Sequence, residues 1–306
     1  MVDSPEPLKV TGVCPVLETP FTRNQEIDPD SFSQLAKAVY GAGTRVVMFP
    51  GFASEFFKLD PGEKSVLVDV LVEVKANHPD LALVLSIAQH ATTKAVDEVH
   101  ALVERGADAI NLLPSYFSDP HPLHRRNHIE AVLDAAGTTP VILQYAPNQT
   151  GSTMSISDFS LLAQKYTNFR QVKVESTPPG PLITQLATSE PSIASIVGYA
   201  GVQMIDAMER GAASVQPGCS FVEVYQEIWR LWNSKQYSAA RELHTRLLPF
   251  ISYWMQGVEL IVQAEKTISM RRGLIETDTC RSPGRPLDDS EQKTIDMFFQ
   301  EFESFF

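Results

Sequence analysis

The chain has 306 residues, 43% of them hydrophobic and 20% charged, with a formal net charge of −12. That is a globular composition, long enough for one large core or one core plus an appendage. An acidic chain without lysine–arginine clusters argues against nucleic-acid binding, and no apolar run is long enough to span a bilayer.

The opening residues, Met1-Val2-Asp3-Ser4-Pro5-Glu6-Pro7, lack a basic region followed by an apolar run, so no secretory leader is expected. Cys14, Cys219 and Cys280 are odd in number and widely spaced, which suggests neither a disulfide framework nor a zinc pattern. A cytoplasmic location is the expectation.

In chain order, a first strand is read over 10–17, turning at Thr19-Pro20-Phe21. Asp28 or Ser31 caps a helix ending near Ala42. A second strand at 45–49 stops at Pro50-Gly51, and Pro61 sits where a first helical turn tolerates it. Strand three covers 81–87 and is followed by a helix from Thr92 to about Arg105. Strand four covers 109–113 and precedes a helix at 123–136. Strand five covers 140–145, and Ser155 opens the next helix. Strand six covers 170–174, strand seven 193–197 and strand eight 213–216, each with a helix behind it. From Phe221 to Arg272, and again over 288–305, only helix is read.

Eight strand–helix units argue for parallel strands with crossover helices. The number suits an α/β (β/α)8 TIM barrel over 1–235, with a C-terminal helical extension over 236–306. No low-complexity linker divides the two.

One lysine stands out. In Gln171-Val172-Lys173-Val174-Glu175 the residues alternate, so Gln171, Lys173 and Glu175 share one strand face and the valines the other. A lysine facing the sheet's centre is desolvated, which favours the neutral amine. Such an amine is the nucleophile for Schiff-base chemistry on a carbonyl. A lone lysine is more commonly a strand-end residue reaching solvent; the rest of the chain decides. Active sites of these barrels lie at the C-terminal strand ends. There Tyr145 ends the strand next to that of Lys173, and a phenol beside a desolvated amine is a suitable acid–base partner.

At this point the chain resembles the class I, Schiff-base aldolases of the dihydrodipicolinate synthase and N-acetylneuraminate lyase group. The resemblance rests on Thr19-Pro20-Phe21, the loop from Gly51 to Glu55, and Pro114-Ser115-Tyr116. It continues in Tyr145 with Pro147 and Thr150-Gly151, in Lys173 followed by Glu175, and in Arg210-Gly211-Ala212-Ala213. It implies the same barrel with a helical extension, frequently tetrameric, and pyruvate or another 2-oxo acid bound as an imine. Lys173 then matches the Schiff-base lysine, Tyr145 the proton-shuttling tyrosine, and Tyr116 a tyrosine that reaches a neighbouring subunit. Gly51, Phe52, Ala53 and Ser54 match the loop whose N–H groups hold the substrate carboxylate.

Departures are as informative. Phe52 and Ala53 replace two threonines, so the family's hydroxyl relay is broken or rebuilt. The loop after strand five is one residue short, and Gln149 stands near the place of an arginine that binds the second substrate's carboxylate. Glutamine cannot neutralise a carboxylate, which argues against lysine-pathway dihydrodipicolinate synthesis; sialic acid cleavage is not indicated. Phe52, Phe56 and Phe57 suggest a partly apolar wall and a less charged or aromatic second half of the substrate, such as an aldehyde. Gly198 and the backbone from Tyr199 to Gly201 are further carboxylate-binding candidates.

The expected function is a Schiff-base lyase or aldolase on a 2-oxo acid, without metal or other cofactor, in a homo-oligomer (dimer or tetramer). Two other readings stay open: a 2-keto-3-deoxy sugar acid dehydratase/aldolase or another imine-dependent hydro-lyase, and a non-catalytic ligand-binding barrel. His121, His124 and His128 share a helix face but read as a solvated helix start. His90 is better placed for the pocket, with a packing role equally open. Glu55 reads as structural. Glu175 is either a salt-bridge partner of the lysine or a loop residue.

Overall fold

The computed structural model describes residues 9–306; the segment read for a leader lies outside the described residues. The fold is a (β/α)8 TIM barrel with a C-terminal helical extension, its eight strands belonging to one sheet. In chain order the elements are β1 (Gly12–Val13), α1 (Pro29–Gly41), β2 (Val46–Phe49), α2 (Pro61–Asn77), β3 (Ala82–Ile87) and α3 (Thr92–Glu104). Next come β4 (Ala109–Leu112), α4 (Pro122–Ala136), β5 (Val141–Tyr145), α5 (Pro147–Thr150), α6 (Ile156–Lys165), β6 (Phe169–Val174) and α7 (Gly180–Ala187). The series closes with β7 (Ala194–Val197), α8 (Met204–Glu209), β8 (Ser214–Val215), α9 (Val222–Asn233), α10 (Tyr237–Trp254), α11 (Val258–Arg271) and α12 (Asp289–Phe302).

Helix starts follow side-chain chemistry. Asp28 caps α1 by accepting the Ser31 N–H at 3.0 Å, so of the two candidates the aspartate is the cap. Asp60 and Glu63 form a reciprocal capping box on α2, with Pro61 at its first position. Ser155 and Asp158 do the same for α6. The short helix α5 forms in a segment read as loop. Pro147 presets its first φ, the Thr150 hydroxyl donates to Ala146 O at 2.8 Å, and Gly151 ends it at φ 67°. The helical run after Phe221 breaks at Lys235, whose φ is 63°, and again at Gly257 before α11.

Two compact units share these elements. The first gathers residues 83–198 and 206–215, and in it β3 to β8 run parallel, each paired to the next. Leu85, Ile110, Leu112, Leu143, Val172, Val174 and Ile196 form its buried sheet core. The second gathers residues 12–82, 199–205 and 216–306. There a parallel bridge joins Val16 to Met48 beside β2. Phe221, Phe250, Trp254, Phe298 and Phe302 make an aromatic cluster with ring centroids 4.9–6.2 Å apart. Among the described residues, no helix is long and apolar enough to cross a membrane.

Candidate active site

The lysine strand is as alternation predicts. Val172 and Val174 are fully buried, and Lys173, on the other face, is only 3% exposed. Gln171 shares that face and exchanges two hydrogen bonds with the Val10 backbone, at 2.7 and 2.9 Å. Glu175 follows the last strand residue, yet its N–H still donates to Tyr145 O at 2.8 Å, so the ladder runs one step further. Its side chain therefore keeps the lysine's face. Glu175 Oε1 lies 3.4 Å from Lys173 Nζ.

The pairing of β5 with β6 decides what else meets the lysine. Val141 pairs with Phe169, but Ile142 pairs with Gln171, so the register slips and Arg170 is passed over. Arg170 is exposed, as an extra residue in a bulge should be. An unslipped ladder would set Tyr145 opposite Lys173. The observed one pairs Gln144 with Lys173 and Tyr145 with Val174. Neighbours across a parallel ladder share a face, so Gln144 joins the lysine and Tyr145 takes the opposite side. The Tyr145 ring packs edge-on to Phe159 of α6, with centroids 5.5 Å apart.

Gln144 Nε2 donates to Glu175 Oε2 at 2.6 Å, and Asn111 Nδ2 donates to Gln144 Oε1 at 2.9 Å. A carboxylate can only accept, so this direction is the one the chemistry requires. All four side chains are buried. Asn111 Oδ1 and the hydroxyl of Ser86, its register partner on β3, are buried without hydrogen-bond partners among the described residues. The result is a buried polar column, Asn111–Gln144–Glu175–Lys173, running from β4 to the end of β6. A buried lysine and carboxylate each lower the cost of burying the other; removing one partner of such a pair costs about 3–5 kcal/mol.

Gly198, after β7, makes room for this column. A Cβ there would lie 2.5 Å from Glu175 Oε1, and the Gly198 N–H is already engaged by Val174 O at 3.2 Å. The remaining candidates of this unit lie elsewhere. Tyr116 sits edge-on to His90, with centroids 4.9 Å apart, and His90 Nδ1 is 3.4 Å from the Ser115 hydroxyl. Gln149 is an exposed residue of α5. In the histidine triplet, His128 departs from the solvated reading: it is 3% exposed, its Nδ1 is 3.1 Å from the Thr92 hydroxyl, and burial pushes its pKa down.

In the second unit, Gly51, Phe52, Ala53 and Ser54 form a tight turn. The Ser54 hydroxyl accepts the Gly51 N–H at 2.9 Å and donates to Leu17 O, while the Thr19 hydroxyl donates to Ser54 O at 2.7 Å. A Cβ on Gly51 would strike Val16 at 2.7 Å. Glu55 follows in a left-handed conformation, φ 53°. Its buried carboxylate holds Lys266 at 2.5 Å, Lys58 at 2.9 Å and the Arg281 N–H at 3.1 Å. Tyr199, Ala200 and Gly201 all have positive φ. Tyr225 and His244 brace this turn at Ala200 O and Gly201 O, at 2.7 and 2.9 Å.

Of the residues singled out from sequence, Lys173 and Gly198 converge, and they do so around Glu175. Gln144 and Asn111 were not foreseen; only the register of β5 reveals them. Among the described residues, no group of three His, Cys, Asp or Glu side chains is arranged to hold a metal ion.

Comparison with known proteins agrees with the fold. The sequence profile of the dihydrodipicolinate synthetase family matches residues 9–301. A 4-hydroxy-tetrahydrodipicolinate synthase of Methanopyrus kandleri is 26% identical over 255 residues, covering 79% of this chain and 80% of the relative. A protein of Escherichia coli K12 named as a probable 2-dehydro-3-deoxy-D-pentonate aldolase is 22% identical over 272 residues, covering 83% and 89%. Among solved structures, a prophage protein of E. coli K12 assigned to the dihydrodipicolinic acid synthase family, crystallised with pyruvate, superposes with TM-score 0.87. Its identity is 19%, over 97% of this chain and 99% of that one.

Proposed function

This chain belongs to the dihydrodipicolinate synthetase family, and from that premise we propose that it is a lyase of the class I aldolase type acting on pyruvate or another 2-oxo acid. The observation that carries this reading is Lys173, buried on a rigid strand with a carboxylate 3.4 Å from its amine. A buried amine beside a proton acceptor is an activated nucleophile for a carbonyl carbon. Lys173 attacks C2 of the 2-oxo acid, and the resulting iminium draws electrons from a bond next to C3. A carbon–carbon bond is then made or broken, or water is lost. The pyruvate bound by the prophage relative supports a 2-oxo acid as the substrate class.

The second substrate is proposed to differ from that of the lysine-pathway synthase. Gln149 can hydrogen-bond a carboxylate but cannot neutralise it, and Phe52 and Ala53 give their turn an apolar character. The name of the E. coli aldolase supports a close alternative, a 2-keto-3-deoxy sugar acid aldolase or dehydratase. The turn from Gly51 to Ser54 is proposed to hold a carboxylate on backbone N–H groups. Assembly as a homo-oligomer, dimer or tetramer, is part of the same proposal, and Phe117, 87% exposed beside Tyr116, is the kind of side chain a partner would cover.

The test is an assay of pyruvate release from a panel of 2-keto-3-deoxy sugar acids and 4-hydroxy-2-oxo acids, run beside the condensation of pyruvate with aspartate semialdehyde. Turnover on the panel and none in the condensation is the expected pattern. Condensation as the faster reaction would return the chain to the lysine-pathway synthases. Inactivity in both would favour the ligand-binding barrel.

A further inference from the structure

We propose that Glu175 is the acid–base catalytic residue of imine formation, the group that takes the proton from Lys173 and returns it to the leaving oxygen. This rests on Lys173 being the imine-forming lysine.

The geometry separates the two carboxylate oxygens. Gln144 holds Oε2 at 2.6 Å, while Oε1 is turned to the lysine, 3.4 Å from Nζ. Asn111 fixes Gln144 in turn, at 2.9 Å. The carboxylate therefore cannot swing away without breaking a buried chain of hydrogen bonds. Gly198 supplies the space for it, since any Cβ there would overlap Oε1, Cγ and Cδ at 2.5–2.9 Å. Any buried carboxylate takes hydrogen-bond partners; here they leave one oxygen turned to the lysine. A general acid–base must stay within reach of the proton it moves.

Glu175 Oε1 takes one proton from the Lys173 ammonium. The freed lone pair attacks C2, the carbonyl π pair moves to oxygen, and a proton passes from nitrogen to that oxygen, giving the carbinolamine. Glu175, now a carboxylic acid, protonates the hydroxyl. The C–O bond breaks, water leaves, and the nitrogen lone pair forms the iminium. Glu175 ends as the carboxylate it began as. Gln144 and Asn111 act as positioning residues.

The experiment follows adduct formation in time. The purified chain is mixed with pyruvate and quenched with sodium borohydride at intervals, and the intact mass is measured. For Glu175→Gln, adduct formation is expected to be about 100-fold slower than wild type, the scale of a lost general acid–base. In Glu175→Ala, added formate is expected to restore part of the rate, which a merely structural carboxylate would not permit. Should Glu175→Gln not fold, Gln144→Met is read instead. It keeps the carboxylate but frees Oε2, so slower adduct formation with an unchanged pyruvate concentration dependence supports the proposal, and an unchanged rate overturns it. A Glu175→Gln protein that forms the adduct at the wild-type rate or faster overturns this proposal alone, because the carboxylate would then only be holding the lysine charged. A wild-type protein that forms no adduct on Lys173 overturns the imine reading and this proposal with it.

Discussion

Gly198 and Glu175 share one space: a Cβ on Gly198 would lie 2.6 Å from Glu175 Cγ and 2.5 Å from its Oε1. The overlap reaches the stem of the side chain, which Gln144 anchors, so a small rotation cannot relieve it. Gly198→Ala should therefore cost about 1–3 kcal/mol, as overpacking does. Denaturant unfolding measures it. In a Glu175→Ala background the same substitution should cost much less, since the obstacle is gone. Equal costs in both backgrounds would show that the two residues are not coupled.

Tyr145 and Gln144 make opposing predictions. The family resemblance gives proton transfer to Tyr145, whereas the register turns Gln144 toward the lysine. Tyr145→Phe should change the rate of imine formation by less than about threefold, against the roughly 100-fold effect of losing a proton-transfer group. Timed borohydride trapping reads this directly. A large loss in Tyr145→Phe would restore the phenol to the mechanism.

This difference shows where the sequence is legible and where it is not. Lys173 is readable because strand alternation is local: two valines around one lysine define its face. The helix start at Ser155 is readable for the same reason, its cap lying within one turn. Gln144 is not, because its face depends on how β5 slides on β6, and a single slip at Val141/Ile142 reverses the outcome. The shortened loop was a clue. Counted back from Thr150-Gly151, one missing residue brings Gln144 to the place where the longer loop would have a tyrosine. Glu18 is similarly invisible. Inside an apolar run before Thr19-Pro20 nothing local says that its carboxylate is buried.

The Glu55–Lys266 pair should be structural. Both side chains are fully buried and 2.5 Å apart, and Lys266 also donates to Thr279 O at 3.0 Å. Lys266→Met leaves Glu55 with Lys58 as its remaining cation. A loss of about 3–5 kcal/mol is expected, as for other broken buried pairs. Thermal or denaturant unfolding checks it, and a loss below about 1 kcal/mol, the range of exposed pairs, would contradict it.

Stability should fall with rising pH across the neutral range. Burial raises the carboxyls of Glu18 and Glu265 from 4.5 to about 7, and each also has a nearby hydroxyl that partly opposes the shift, Ser269 for Glu18 and Ser220 for Glu265. Between these values the folded chain holds more protons than the unfolded one. Raising the pH therefore destabilises the fold, by up to about 3 kcal/mol for one such carboxyl acting alone. Among the described residues, neither Glu18 oxygen, both buried, has a hydrogen-bond partner. Glu18→Gln, which carries no charge, should accordingly raise the melting temperature relative to wild type more at about pH 8 than at about pH 5. The same difference at both pH values would contradict this.

The most direct test of the account is the site of covalent capture. Borohydride reduction of the protein with pyruvate, or with larger 2-oxo acids where pyruvate is silent, should add one reduced substrate to the intact mass. Peptide mapping should place it on Lys173, and Lys173→Ala should take none. An adduct on another lysine, or no adduct across the whole panel of 2-oxo acids, would contradict the imine mechanism.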